Sequence, residues 1–189
     1  MQMDAPPSDQ TQSPAGAPSP WVTQHADLIT TAGQILDLAA GSGRHTRYFN
    51  RLGRPVLAVD RDVSGLADLR TQPEIEIRQI DLETSDPWPF SGRLFAGIIV
   101  TNYLYRPLLS FLGEALLPGG VLIYETFAEG NERFGRPRNP DFLLKPGELL
   151  ALAQAASLTV IAYEHGEVAT PRPAVIQHLV AKKPLLSGR

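Results

Sequence analysis

Two glycines and two acids stand where they could hold a nucleotide-like molecule. Gly41 and Gly43 close the run I-L-D-L-A-A-G-S-G that opens at Ile35, and Asp60 and Asp81 end two later apolar runs. Glycines let the chain turn sharply at the end of a buried strand, and the unpaired N–H groups of the helix that follows then face the crevice above the sheet. Asp60 comes 60 − 41 = 19 residues after Gly41. At about that distance an acid at the tip of the second strand accepts hydrogen bonds from both hydroxyls of a ribose. An acid there can also cap a helix, but Asp62 and Ser64 are available for that task. Asp37, Asp60 and Asp81 thus put one acid at each of three successive strand ends.

These residues need a sheet to carry them. Apolar runs predict strands over residues 35–38, 55–60, 75–80, 95–101, 121–127, 158–165 and 175–181, and helices over 21–31, 45–52, 65–70 and 146–156. Alternation of strand and helix predicts an α/β fold with a doubly wound, mostly parallel, seven-stranded sheet and helices on both faces. The connection from His165 to Pro173 is too short for a helical crossover, so the last two strands should form a hairpin. The helix at Trp21 is placed to close over the ligand crevice.

The glycine turn, the second-strand acid and the third-strand acid occur in the order found in class I S-adenosylmethionine-dependent methyltransferases, which the chain resembles over residues 30–182. The stretch L-L-P-G-G-V-L-I-Y-E-T-F, Leu116 to Phe127, looks like that family's turn into its fifth strand, with Gly119 and Gly120 making the turn. The resemblance implies S-adenosylmethionine as cofactor, held by Asp37, Ala39, Gly41, Gly43, Asp60, Arg61, Asp81, Leu82 and Asn102. It also implies that Asp81 and Leu82 receive the adenine, and that the last strand is antiparallel. Ala39 departs from the family's commonest pattern, which has glycine there. A nicotinamide dinucleotide is disfavoured because Gly41-Ser42-Gly43-Arg44-His45-Thr46 lacks the third glycine that packs against a pyrophosphate.

For the reaction itself, the end of strand four offers Asn102, Tyr103, Tyr105 and Arg106. Methyl transfer needs two aligned reactants, excluded water and a base only when the nucleophile carries a proton. Asn102 would hold the cofactor's methionine part or the acceptor, Tyr103 and Tyr105 would wall the sulfonium, and Arg106 would pair with an acidic substrate. Each tyrosine read singly is more often a partly buried packing residue than a catalyst. Glu125 is a candidate base, and Arg133, Arg136 and Arg138 in the long loop after strand five are candidates to collect an anion. His165 and His178 read as sheet residues.

The 189 residues are 43% hydrophobic and contain no cysteine, which excludes disulfides and thiolate chemistry; the four histidines show no metal-ligand spacing, so no metal is expected. A net charge of −3 argues against nucleic acid as partner. Residues 1–20, rich in proline, read as a disordered arm and residues 21–189 as one cofactor-binding domain. No apolar segment suits a signal peptide or membrane span, so a cytoplasmic protein is expected, with oligomeric state open. Compact members of the resembled family include tellurite-resistance-type enzymes, and similarity in size implies a methyl acceptor that is a small molecule, an anion among the candidates. The alternatives are methylation of RNA or protein through Arg44, Arg47, Arg51, Arg54 and the arginine loop, and a non-catalytic cofactor-binding scaffold.

Overall fold

The computed structural model describes residues 16–84, 88–170 and 172–185. Seven strands form one sheet: β1 Ile35–Leu38, β2 Val56–Asp60, β3 Ile75–Gln79, β4 Phe95–Thr101, β5 Leu116–Phe127, β6 Thr159–Val168 and β7 Ala174–Lys182. Their order is β3-β2-β1-β4-β5-β7-β6. β3, β2, β1, β4 and β5 run parallel, and β7 is antiparallel to both β5 and β6. The expected seven-stranded α/β sheet and its terminal hairpin are therefore present. The order reverses between β1 and β4, which puts a crevice above their carboxyl ends.

Alternate side chains of the central strands enter two cores. Ile35, Val56, Ile99, Val121 and Ile123 pack against Trp21 and Val22 of α1 (Pro20–His25) and Phe49 of α2 (Arg44–Arg51). Leu36, Leu57, Ile98, Val100 and Leu122 pack against Leu112 of α3 (Leu109–Glu114) and Leu149 and Leu152 of α4 (Glu148–Ala155). Asp37 and Glu125 share the alternation of the first set, and Tyr124 and Thr126 that of the second.

Three expected elements differ. The helix expected over 21–31 ends at His25 and continues as a 3-10 turn, Ala26–Leu28. The helix expected over 65–70 is a 3-10 helix, Ser64–Leu69, pressed so close to the glycine turn that a Cβ on Gly65 would meet Ser42 Cα at 3.1 Å. β5 begins five residues before Val121, because Gly119 N–H donates to Lys183 O and Lys183 N–H to Gly120 O, each at 2.9 Å. The glycines thus make an excursion within the strand: β4 pairs Phe95 with Leu116 but Gly97 with Val121. Residues 1–15 of the expected arm lie outside the described residues, whereas Ser19, assigned to that arm, is buried at 4% exposure.

Candidate active site

The glycine turn is shaped by backbone conformation more than by side chains. Ala39, Gly41 and Gly43 have φ of 56°, 55° and 75°, the left-handed region that costs an L-residue about 1 kcal/mol or more. A Cβ on Gly43 would lie 2.2 Å from Leu66 Cδ2, whereas one on Gly41 would meet nothing within 4 Å. Gly43 is therefore glycine for the fold, while Gly41 borders open space. Asn102, just past β4, is also left-handed at φ 53°. Strained non-glycine residues at two adjacent strand ends are the kind of feature that marks a ligand site.

Asp60 closes the turn. Its Oδ2 accepts the Gly41 N–H at 2.7 Å and its Oδ1 the Asp62 N–H at 2.9 Å. An ionised carboxylate offers about four acceptor positions, so two remain, the number a vicinal diol needs. Asp62 performs the local capping, accepting from Ser64 N–H at 2.9 Å.

Beside Asp60 lies a cavity of about 240 Å³ lined by Ala39, Asp60, Arg61, Ile80, Asp81, Leu82, Glu83, Tyr103 and Phe142. The acids Asp60, Asp81 and Glu83 and the apolar Ile80 and Leu82 line it together. A second cavity of about 200 Å³ adjoins it, sharing Glu83, Tyr103 and Phe142 and adding Asn102, Leu104, Thr126, Phe127 and Pro137. The structure thus brings Ala39, Asp60, Arg61, Asp81, Leu82, Asn102 and Tyr103 to two contiguous cavities, with Gly41 bonded to Asp60 at their edge.

The remaining predicted residues lie elsewhere. Asp37 is 2% exposed and accepts from the Thr46 N–H at 2.9 Å and the Thr46 hydroxyl at 2.5 Å. Burial pushes its carboxyl up to about 6, although both Thr46 bonds and Arg44 pull it down. It holds the first turn of α2 in place. Glu125 faces the α1 side, where it accepts the Ser19 hydroxyl at 2.6 Å and sits 3.5 Å from His178 Nε2 and 3.8 Å from Arg44; its neighbour Thr126 lines the second cavity. Tyr105 donates weakly to Thr84 O at 3.5 Å and lines neither cavity.

Tyr103 lines both cavities, and its phenol oxygen is buried with no hydrogen-bond partner among the described residues. Burial, reinforced by Glu83 and Asp81, raises its pKa. At neutral pH it is therefore an O–H donor and not a base.

Of the arginines read as candidates for a substrate anion or a macromolecule, Arg106, Arg133, Arg47 and Arg54 are engaged within the protein. Arg106 forms a two-pronged pair with Glu148 at 2.7 and 2.9 Å and donates to Asp141 O and Leu143 O at 2.8 and 2.9 Å, which clamps the loop after β5 onto α4. Arg133 pairs with Glu167 at 2.5 Å. Arg47 and Arg54 are buried; Arg47 forks onto Asp68, and Arg54 donates to Ile29 O and Thr30 O. Arg136 and Arg138 remain exposed.

Residues missed in the sequence are Glu83 and Phe142, at the junction of the two cavities, and Ser19 and His45. His45 is 1% exposed, with Nε2 accepting the Ser19 N–H at 3.1 Å, and burial pushes it down to about 3. Glu83 carried a usable signal, standing two residues beyond Asp81; Phe142 reaches the cavities, and Ser19 reaches Glu125 and His45, only through the course of the chain. Among the described residues no cluster of three or more histidines and acids is placed to hold a metal, and no helix is long and apolar enough to cross a membrane.

Solved structures share this architecture. TehB from Haemophilus influenzae matches with a TM-score of 0.68 at 20% identity over 86% of this chain. The chain spans 61% of the length of that TehB. The 1,6-didemethyltoxoflavin-N1-methyltransferase of Burkholderia thailandensis, solved with 1,6-didemethyltoxoflavin and S-adenosylhomocysteine, matches at 0.63 and 22% identity over 87% of this chain and 76% of its own. The cyclase SpnF matches at 0.65 and 13% identity over 87% and 80%. No family model and no curated protein matches the sequence. At these identities the likeness establishes the fold, that of the class I S-adenosylmethionine-dependent methyltransferases.

Proposed function

We propose that this protein is an S-adenosylmethionine-dependent methyltransferase acting on a small molecule. The observation that carries the reading is the pairing of two contiguous cavities at the strand ends, the first ringed by Asp60, Asp81 and Glu83 and closed by the Gly41 turn, the second opening beside it over Asn102 and Thr126.

The donor set suits the cofactor. S-adenosylmethionine supplies a methyl group carried on a sulfonium, and it presents hydroxyl and amino donors to its binding site. In this assignment Asp60 takes the ribose hydroxyls on its two unused acceptor positions, Asp81 accepts from the adenine amino group, and Ile80 and Leu82 cover the ring. Arg61 is positioned by a bond from Gln79 Nε2 to its carbonyl at 3.0 Å and borders the same cavity. The turn at Ala39, Gly41 and Gly43 and the amide of Asn102 border the methionine end. The acidic rim favours a ligand bearing net positive charge.

Within the second cavity Tyr103 and Asn102 orient the acceptor by hydrogen bonding, while Phe127 and Phe142 exclude water. Aligning reactants in a dry site is the main protein contribution to a displacement of this kind. Asp37 and Glu125 act as positioning residues, holding α2 and the segment at Ser19. A macromolecular acceptor is less well supported, since Arg47 and Arg54 are buried and Arg133 is paired.

The neighbour named as an N1-methyltransferase, solved with S-adenosylhomocysteine bound, supports this reading, while a cyclase on the same fold makes a direct test essential. Calorimetric titration with S-adenosylmethionine, S-adenosylhomocysteine and NADH should show binding of the first two only. Affinity should fall at least tenfold in Asp60→Ala and in Asp81→Ala. A folded protein that binds neither methyl-cycle ligand overturns the proposal.

A further inference from the structure

The second cavity carries its own chemical preference. Tyr103, Phe127 and Phe142 line it together with Leu104 and Pro137, and among the described residues its one acid is Glu83. Among the described residues no lysine, arginine or histidine lines it. Of the cations in the neighbouring segments, Arg133 and Arg106 are paired with Glu167 and Glu148, while Arg136 and Arg138, on either side of Pro137, are exposed and do not line the cavity. Arg172, exposed, stands over the Phe127 ring at 5.7 Å without lining the cavity.

We infer that the occupant of this second cavity is a flat ring compound bearing a basic, positively charged nitrogen, and not the anion suggested by the arginine-rich loop. This rests on the assignment of the first cavity to the cofactor. An aromatic cage with one carboxylate attracts a cation through both the ring faces and the charge. A carboxylate or phosphate placed there loses its water, gains no cationic partner from the walls and meets Glu83, with two acids, Asp81 and Asp60, against the single cation Arg61 in the adjoining cavity. The Asn102 amide, the Thr126 hydroxyl and the unpartnered Tyr103 phenol are neutral groups able to satisfy the rest of a nitrogen heterocycle or aryl amine. Three aromatic side chains in one small cavity favour a ring compound over a flexible aliphatic amine.

Two probes with the same ring and opposite charge test this: tryptamine and indole-3-acetate, titrated calorimetrically into protein saturated with S-adenosylhomocysteine. Tryptamine should bind at least tenfold more tightly. Glu83→Gln should weaken tryptamine at least fivefold while changing indole-3-acetate less than twofold, and Phe142→Ala should weaken both. Arg133→Gln, outside the cavity, should leave the preference within twofold. Equal or reversed preference, or no detectable binding of either probe at millimolar concentration, overturns the inference while leaving the cofactor assignment intact. If S-adenosylhomocysteine itself does not bind, the cofactor assignment falls; the same two probes on the free protein, with Glu83→Gln, then decide the charge preference.

Discussion

The Ser19 hydroxyl donates to Glu125 Oε2 at 2.6 Å, joining the start of α1 to the carboxyl end of β5 across 106 positions of chain. The same oxygen accepts the Trp21 and Val22 N–H groups at 3.1 and 3.5 Å, so one residue both caps α1 and anchors it to the sheet. The Ser19 N–H completes the attachment by donating to His45. Glu125, read in the sequence as a base, serves here as the anchor point for the N-terminal segment.

Ser19→Ala should therefore remove a helix cap and a buried charged hydrogen bond together, at a cost of about 2 kcal/mol. Urea denaturation measures it. A change of a few tenths would mean that the segment contributes little to the folded state.

The glycine turn makes a paired prediction. Gly41→Ala should cost about 1 kcal/mol, from the left-handed backbone alone. Gly43→Ala adds a collision with Leu66 and should cost about 3 kcal/mol. Similar denaturation midpoints for the two variants would show that the turn relaxes around Leu66.

Asp37 and His45 oppose one another in their pH dependence. Burial raises Asp37 from 3.8 to about 6, so the folded state holds the extra proton and stability from this group grows as pH falls from 6 toward 3.8. Burial lowers His45 from 6.5 to about 3, so the unfolded state holds the extra proton and stability is lost as pH falls below 6.5. Between pH 6.5 and 5 linkage gives about 1 kcal/mol gained from Asp37 and about 1.5 kcal/mol lost through His45. His178, also lowered by burial against the pull of Glu125 and Glu164, acts in the same direction as His45 and is present in both variants. Relative to the parent protein, the stability profile of His45→Gln should tilt upward toward acid and that of Asp37→Asn downward. Parallel profiles measured by denaturation at several pH values would contradict these assignments.

Arg106→Met should release the loop after β5 with little effect on the sheet, since its partners are Glu148 and two loop carbonyls. Limited proteolysis within residues 129–143 should accelerate several-fold, while hydrogen exchange in β4 and β5 stays unchanged. Unaltered cleavage would show that Asn131, which accepts from Val175 N–H and donates to Pro137 O at 3.2 Å each, holds the loop without the clamp.

The strands that are apolar over most of their length were legible because burial on both faces leaves a dense hydrophobic run: β1, β2 and β4 lie within a residue of their expected bounds. The excursion at Gly119 was not, since it exists only where β7 supplies Lys183 to bond both glycines. Asp60 and Asp81 were legible from their place at strand tips. Asp37 misled because a strand residue near a tip can point into a helix as readily as into the crevice, and alternation puts it beneath Thr46. The arginines misled for a related reason: a sequence reveals a cation but not the carboxylate that claims it, as Glu148 claims Arg106. Ser19 and His45 were invisible because their partners are tens of residues away.

Tyr103, Glu83 and Phe142 belong to both cavities, so an occupant of either one touches part of the other's wall. Any rotamer of Phe142 or setting of its loop favoured by one guest is inherited by the other. Binding free energy is a state function, so whatever factor the first ligand adds to the second's affinity, the second returns to the first. Under the proposed assignment the shared wall couples the two guests to the extent that it shifts on binding, and a dissociation constant for one is then to be measured with the occupancy of the other fixed.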